Sequence, residues 1–173
     1  MRRISMFVLV LAAASLSVAA EGANLLTNGN FAAKDGGSEQ NAADWMESGA
    51  ASRETWSGRT EGQYGMAMRC WEGGGVGEAY QEVKAKAGTE YTFKIWACRD
   101  NGTLDGEFYI KLAWYSGKEL VSEDVQKASL TAEWAQFVIS AKAPPKADKV
   151  RVAFGSTNVT MTGKFTEAEL TGK

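Results

Sequence analysis

The sequence predicts an all-β fold, a sandwich of two antiparallel sheets. Apolar residues recur at every second position in several short segments, turn-forming residues separate these segments, and no long segment has helical periodicity. Glycine occurs 19 times, whereas proline occurs only at Pro144 and Pro145. Many short strands at even spacing are typical of a sandwich or a barrel.

Residues 1–20 have the features of a secretory signal peptide. Arg2 and Arg3 give a positive start, an apolar stretch runs from Met6 to Ala14, and small residues lead to Ala20. The apolar stretch is too short to cross a hydrocarbon core of about 30 Å. We therefore expect export, cleavage after Ala20, no membrane anchor, and one secreted or periplasmic domain spanning residues 21–173.

Eight or nine strands follow the signal peptide. The alternation is clear from Tyr91 to Ala97, from Phe108 to Trp114, from Phe137 to Ala141 and from Val150 to Phe154, where each second residue is apolar. The polar, glycine-containing segment 33–41 is predicted to be a loop, and residues 119–130 to be a helical turn or a loop. The predicted strands span residues 24–31, 44–48, 64–71, 78–85, 90–99, 107–115, 134–141, 149–155 and 163–171.

The composition argues against several classes of function. The chain has no histidine, the commonest general base and transition-metal ligand. Without the two arginines of the signal peptide, 17 basic and 21 acidic side chains remain, a net charge of −4, and no basic cluster offers a nucleic-acid surface. The carboxylates Glu119, Glu123 and Asp124 lie in an exposed stretch without the setting of an acid–base pair. We therefore expect no enzyme.

The two cysteines, Cys70 and Cys98, do not form the closely spaced pair of a zinc framework. An oxidising compartment would favour a disulfide between them. Strand alternation instead places Cys70 on the inward side and Cys98 on the outward side, which argues against the bridge. Both interpretations remain open at this point.

A series of short motifs recurs in a fixed order along nearly the whole domain. The motifs are Asn24–Phe31 (NLLTNGNF), Asp44-Trp45, Tyr64–Met68 (YGMAM), Tyr80–Val83 (YQEV), Ala87–Phe93 (AGTEYTF), Trp134 with Pro144, and Gly163–Leu170. Their order and spacing resemble those of carbohydrate-binding modules of families 4, 9 and 22, which have a galactose-binding-domain-like fold. The resemblance implies a jelly-roll β-sandwich that binds glycans on one concave sheet face or at loop tips.

The resemblance also implies a structural calcium ion between the first and last strands. Asn28 and Glu167 are the candidate ligands. The match is incomplete, because the family's acidic residue after the first motif is Ala32 here, and its closing Asp pair aligns with Thr166 and Glu167. Calcium needs several oxygen ligands, preferably carboxylates and carbonyls.

Alternation also predicts which side chains are available to a ligand. In the strand order that the resemblance implies, Trp71, Trp96, Arg69, Arg151 and Tyr109 would point outward from one sheet and line a common face. An aromatic ring can stack on the apolar side of a sugar, and arginine can bind its hydroxyl groups. Packing in the core is the alternative for both tryptophans, since a one-residue change of register exchanges the inward and outward sets.

The remaining tryptophans receive other assignments. Trp45, Trp114 and Trp134 are predicted to pack in the core. Trp56 lies in a polar Ser/Gly stretch and either contacts a ligand at a loop tip or covers the sandwich.

The sequence thus favours a secreted, non-catalytic protein that binds a glycan, and neither a nucleic acid nor a membrane. The alternative is a structural or adhesive protein that contacts a partner in the cell envelope. An enzyme is a third, weaker hypothesis, because the chain displays no clustered acid–base pair.

Overall fold

The computed structural model describes residues 22–69, 75–103 and 106–173. The predicted signal peptide, Cys70 and Trp71 lie outside these residues. None of the described residues belongs to a helix long and apolar enough to cross a membrane. The described part of the chain contains nine strands: β1 (Met46–Gly49), β2 (Ala51–Glu54), β3 (Gly65–Arg69), β4 (Gly75–Lys84), β5 (Glu90–Thr103), β6 (Glu107–Ser116), β7 (Glu119–Ala128), β8 (Ala135–Lys142) and β9 (Lys149–Gly172).

The strands form two antiparallel five-stranded sheets that share β9. The first sheet has the order β1-β4-β9-β6-β7, and the second has the order β2-β3-β9-β5-β8. Residues 149–159 of β9 pair in the first sheet, and residues 160–172 pair in the second. The predicted all-β sandwich of two antiparallel sheets is confirmed.

The division of β9 into two predicted strands was wrong, because Gly155 and Ser156 do not form a turn. Gly155 lies inside the strand, where a Cβ atom would collide with the carbonyl oxygen of Gly77 and approach Tyr109 Oη to 2.7 Å. Glycine is required here by the close approach of neighbouring groups. Gly155 therefore marks a place where Gly77 and Tyr109 pack closely against the strand, and it does not mark a turn.

Two other segments differ from the expectation. Residues 24–31 form no strand, because Asn28 and Phe31 have φ angles of 47° and 56°, outside the extended region. The Asn24 side chain instead accepts the N–H groups of Leu26 and Leu170 and fixes this segment along β9. Residues 119–128 form β7, an edge strand with most side chains exposed, so the usual alternation of polar and apolar residues is missing.

Aromatic rings fill the space between the sheets. Phe31, Trp45, Phe154 and Phe165 form a chain of ring contacts with centroid separations of 4.8–5.9 Å. Trp45 and Trp114 are buried as predicted, whereas Trp134 is only partly buried. Because alternate residues of each strand point into this core, the residues between them point to the outer side of the sheet.

Candidate functional site

The outer side of the first sheet carries a group of tyrosine and charged residues, which we call the tyrosine face. Cross-strand pairing aligns them in four rows across β4, β9 and β6, with small residues between the larger ones. From one end to the other, the rows are Glu78–Gly155–Tyr109, Tyr80–Ala153–Lys111, Glu82–Arg151–Ala113 and Lys84–Lys149–Tyr115.

At one end, Tyr109 lies beside Gly155, which leaves room for its ring. Its hydroxyl donates a hydrogen bond of 2.7 Å to Glu78 Oε2, and Lys111 Nζ donates one of 2.8 Å to the same oxygen. Burial and the hydrogen bond to Glu78 raise the pKa of the Tyr109 hydroxyl, so it stays protonated. A shallow depression of about 460 Å³ adjoins this end, and Val125 is among the residues that line it.

At the other end, Arg151 lies between two tyrosine rings. Its Cζ is 4.0 Å from the Tyr80 ring centroid and 5.0 Å from that of Tyr115. Glu82 Oε1 accepts hydrogen bonds from Arg151 Nη2 at 2.7 Å and Nε at 3.1 Å, and Glu82 Oε2 accepts one from Lys149 at 2.7 Å. Burial alone would raise the pKa of Glu82, but these hydrogen bonds outweigh it and lower the pKa, so the carboxylate stays charged.

The tyrosine face therefore combines ring surfaces with fixed hydrogen-bonding groups. The contacts that order Tyr109, Arg151 and Lys149 come from side chains of β4, β6 and β9 themselves. Ordering by neighbouring strands lowers the entropy that these side chains lose when a ligand binds. The arrangement suits a polar ligand that also has flat apolar surfaces.

Only part of the predicted ligand-binding set lies on the tyrosine face. Tyr109 and Arg151 are there, as alternation predicted. Arg69 and Trp96 lie on β3 and β5 in the second sheet, so the predicted common face is wrong. Trp71 lies outside the described residues. The error arose because alternation fixes the side to which a residue points but does not fix the sheet to which its strand belongs.

The chain itself covers the outer side of the second sheet near Trp96. The Arg59 guanidinium lies 3.7 Å from the Trp96 ring centroid and donates a hydrogen bond of 2.8 Å to Glu167. Ser57 is fully buried, and its carbonyl oxygen lies against Gly65 of β3, where a Cβ atom would collide with it. Trp96 is thus outward-pointing, as predicted, but the loop 55–64 packs over it.

Arg69 and Trp56 share a partner on the same side of the molecule. Arg69 forms an ion pair with Glu54 Oε1, and Trp56 Nε1 donates a hydrogen bond of 3.1 Å to Glu54 Oε2. Trp56 belongs to the covering loop and keeps 42% of its surface exposed. Cys98 is a buried free thiol on this sheet, and burial raises its pKa to about 11.

The sequence interpretation missed Tyr80, Glu82 and Lys149 as candidates. Strand alternation is the signal that could have found Tyr80 and Glu82. Ala79 and Gln81 point inward and are buried in the structure, so Tyr80 and Glu82, which alternate with them along β4, point outward. Partner strands could not be assigned from local periodicity, so the meeting of these side chains with Arg151 was not foreseeable.

The two candidate calcium ligands, Asn28 and Glu167, line one pocket between the first loop and β9, but both have protein partners, and calcium binding there stays a prediction. The Asn28 amide oxygen accepts the Ala33 N–H at 2.9 Å, and its nitrogen donates to the Ala33 and Ala43 carbonyls. Glu167 pairs with Arg59. Among the described residues, no group of three or more His, Cys, Asp or Glu side chains could hold a metal ion.

A buried arginine instead occupies the carbonyl-rich first loop. Arg53 donates hydrogen bonds to the carbonyl oxygens of Phe31, Ala32 and Glu39 at 2.7, 2.6 and 2.7 Å. Its Cζ lies 3.8 Å from the Tyr64 ring centroid, and only 4% of the residue is exposed. A guanidinium supplies here the positive charge and the multiple contacts that a cation would give to these oxygens.

The fold is that of carbohydrate-binding modules. Similar solved structures include the xylan-binding domain of the family 22 module from Paenibacillus barcinonensis Xyn10C, with 9% identity, a TM-score of 0.63, and coverage of 88% of this chain and 96% of that one. A family 61 module solved with β-1,4-galactotriose has 16% identity, a TM-score of 0.58, and coverages of 85% and 97%.

A third similar structure belongs to a much larger chain. The enzymatically active domain of tailspike protein 4 from bacteriophage CBA120 has 11% identity and a TM-score of 0.68, and the match covers 87% of this chain. This chain spans about a fifth of that one, since the match covers 21% of it. No family model and no curated protein matches the sequence.

Proposed function

We propose that the protein binds a glycan on the tyrosine face and does not alter it chemically. The observation that carries this proposal is the group of Tyr80, Arg151 and Tyr115 from three adjacent rows, in which two partly exposed rings flank an ordered guanidinium. The likeness to the family 61 module solved with a galactotriose adds support. Tyr109 extends the same surface towards β7.

The expected energetics are those of a weak, reversible interaction. Burying roughly 50 Å² of apolar area per ring contributes about 1 kcal/mol. Arg151, Lys149 and Lys111 are already held by Glu82 and Glu78, so these side chains lose little conformational entropy on binding. Hydroxyl groups of a sugar can bind to these charged groups or through water.

Binding without catalysis also agrees with the state of the carboxylates on the face. A glycosidase needs one carboxylic acid with a raised pKa beside a second carboxylate. Glu82 has a lowered pKa and is held by two cations. Glu78 accepts hydrogen bonds from both Tyr109 and Lys111. Both carboxylates are thus held in fixed contacts with neighbouring side chains, which is the setting of a structural group.

The test compares the two outer faces of the sandwich. A glycan array identifies ligands, and titration calorimetry then measures the affinity of Tyr80→Ala, Tyr115→Ala and the matched control Trp96→Phe. We expect each tyrosine variant to lose about fivefold in affinity, which corresponds to one lost ring contact. The control should bind normally. Loss of binding in Trp96→Phe with unchanged binding in both tyrosine variants would reject the assignment.

A second function has one observation in its favour. The edge strand β7 exposes Leu120, Val121 and Val125, with 49%, 39% and 53% of their surfaces accessible. Exposed apolar edge strands pair readily with other chains. A structural or adhesive protein would use this edge to contact a partner in the cell envelope. Val121→Lys should then abolish an oligomer or a crosslinked complex seen with the unmodified chain, while glycan binding should persist, because Val121 does not line the depression beside Tyr109.

Secretion or transfer to the periplasm belongs to the same proposal. The predicted cleavage after Ala20 gives a mature protein that begins at Glu21. Mass spectrometry of the exported protein checks this directly. Retention of residues 1–20 on the exported protein would contradict the cleavage site.

A further inference from the structure

Positive charge is concentrated at one end of the tyrosine face. Lys84 lies directly opposite Lys149 in the register of β4 and β9, on the same side of the sheet. Like charges at directly opposed positions destabilise a sheet. Arg151 is in the adjacent row, and Glu82 is the carboxylate among these four side chains. The group therefore carries three positive charges against one negative charge.

Glu82 cannot neutralise this group. One of its oxygens accepts hydrogen bonds from Arg151, and the other accepts one from Lys149. Lys84 forms no ion pair with any residue of segments 22–69, 75–103 and 106–173. Arg151 Nη1 likewise has no hydrogen-bond partner within these segments. Two cationic groups thus keep unused donors beside the Tyr115 and Tyr80 rings.

The opposite end of the face has the reverse balance. Lys111 pairs with Glu78, and Lys127 pairs with Glu107. Glu123 on β7 is in the row of Arg151, but it lines the same depression as Tyr109, Lys111 and Lys127 and adds a further negative charge there. The charge therefore changes from positive to negative along the face, which gives a bound chain a preferred direction.

We infer that Lys84, Lys149 and Arg151 form an anion subsite, and that the glycan bound on the tyrosine face is acidic. This inference rests on the proposed function. A sugar ring placed against Tyr115 would direct a carboxylate or sulfate to the unused donors of Lys84 and Arg151 Nη1. Hydrogen bonds to charged groups are stronger than those between neutral groups, so the anion would raise affinity about tenfold over the neutral sugar.

The experiment begins with an array carrying neutral, uronic-acid and sulfated oligosaccharides. Two matched pairs follow in calorimetry: oligogalacturonate with its methyl ester, and sulfated galactan with its desulfated form. We expect the anionic member to bind about tenfold more tightly, and the two pairs distinguish a carboxylate from a sulfate. The preference should weaken as salt concentration rises, because these charges are solvent-exposed.

Variants locate the effect. Lys84→Gln should remove most of the preference for the anionic sugar and leave binding of the neutral sugar unchanged, because Lys84 has no role in holding the tyrosine rings or Arg151. The matched control Lys127→Gln, at the opposite end of the face, should retain the preference. Equal affinity for charged and neutral sugars would overturn the anion subsite while the proposed glycan function survived. Absence of binding to every oligosaccharide on the array would overturn both.

Discussion

Replacing Arg53 with methionine should strongly destabilise the domain. The buried guanidinium donates three hydrogen bonds to backbone carbonyl oxygens of the first loop and stacks on Tyr64. Methionine has a similar length but no donor, so these carbonyls lose their partners. The Phe31 carbonyl bond is fully buried, while those to Ala32 and Glu39 are partly buried and can exchange to water.

The cost follows from these differences. An unsatisfied buried polar group costs about 1–3 kcal/mol, and partly buried groups cost less. The free energy of unfolding should therefore fall by about 3–5 kcal/mol in Arg53→Met, a large effect for one substitution. In a domain of this size each kcal/mol lowers the melting temperature by about 2–4 °C, so the midpoint should fall by roughly 10 °C or more.

Urea unfolding followed by tryptophan fluorescence measures the change. Arg53→Lys keeps the charge but lacks the planar guanidinium, so its free energy of unfolding should lie between those of the unmodified protein and Arg53→Met. Arg59→Met is the matched control, because its partly exposed ion pair with Glu167 should contribute less than about 1 kcal/mol. A loss below about 1 kcal/mol in Arg53→Met, or an equally large loss when a chelator is added to the unmodified protein, would refute this reasoning.

Three further predictions concern separate parts of the structure. Burial raises the Glu47 pKa from 4.5 to about 6, so the folded state gains stability as the pH falls from about 6 towards 4.5. Glu47→Gln should flatten this pH dependence of the free energy of unfolding, measured by urea titration. At pH 7 the same variant should be more stable than the unmodified protein by up to about 2 kcal/mol. Cys98 is buried with a pKa of about 11, so iodoacetamide should label it only after denaturation, as peptide mass mapping would show. Gly155→Ala should lower stability by about 1–3 kcal/mol in urea and displace Tyr109, because the added methyl meets Gly77 and Tyr109; an unchanged midpoint would contradict this.

Local patterns predicted the strands well where one side of the strand is buried. In β6, buried Phe108, Ile110 and Leu112 alternate with outward Tyr109 and Lys111, and the prediction for this strand is confirmed. The pattern fails in β7, because an edge strand with two solvated sides has no apolar periodicity. It also fails at residues 24–31, where side chains of the segment replace the pairing of a regular strand.

The candidate site could be predicted only in part, because it depends on contacts between distant segments. Arg151 meets Tyr80 and Tyr115 only because β9 lies between β4 and β6, a pairing that no local pattern encodes. Trp96 and Arg69 were placed on the same face because the order of strands came from a resemblance. An error in sheet membership moves a residue to the opposite surface of the sandwich.

The choice between the two surfaces has a physical basis beyond the location of these residues. A sugar could stack on Trp96 only if Arg59 left both the indole ring and Glu167, and the loop with buried Ser57 would have to move as well. That rearrangement would subtract from an already weak affinity. On the tyrosine face the ordering contacts come from neighbouring strands, so a ligand need not displace a loop. Arg59→Ala should therefore leave glycan affinity unchanged; a marked gain in affinity that Trp96→Phe then abolished would transfer the site to the second sheet.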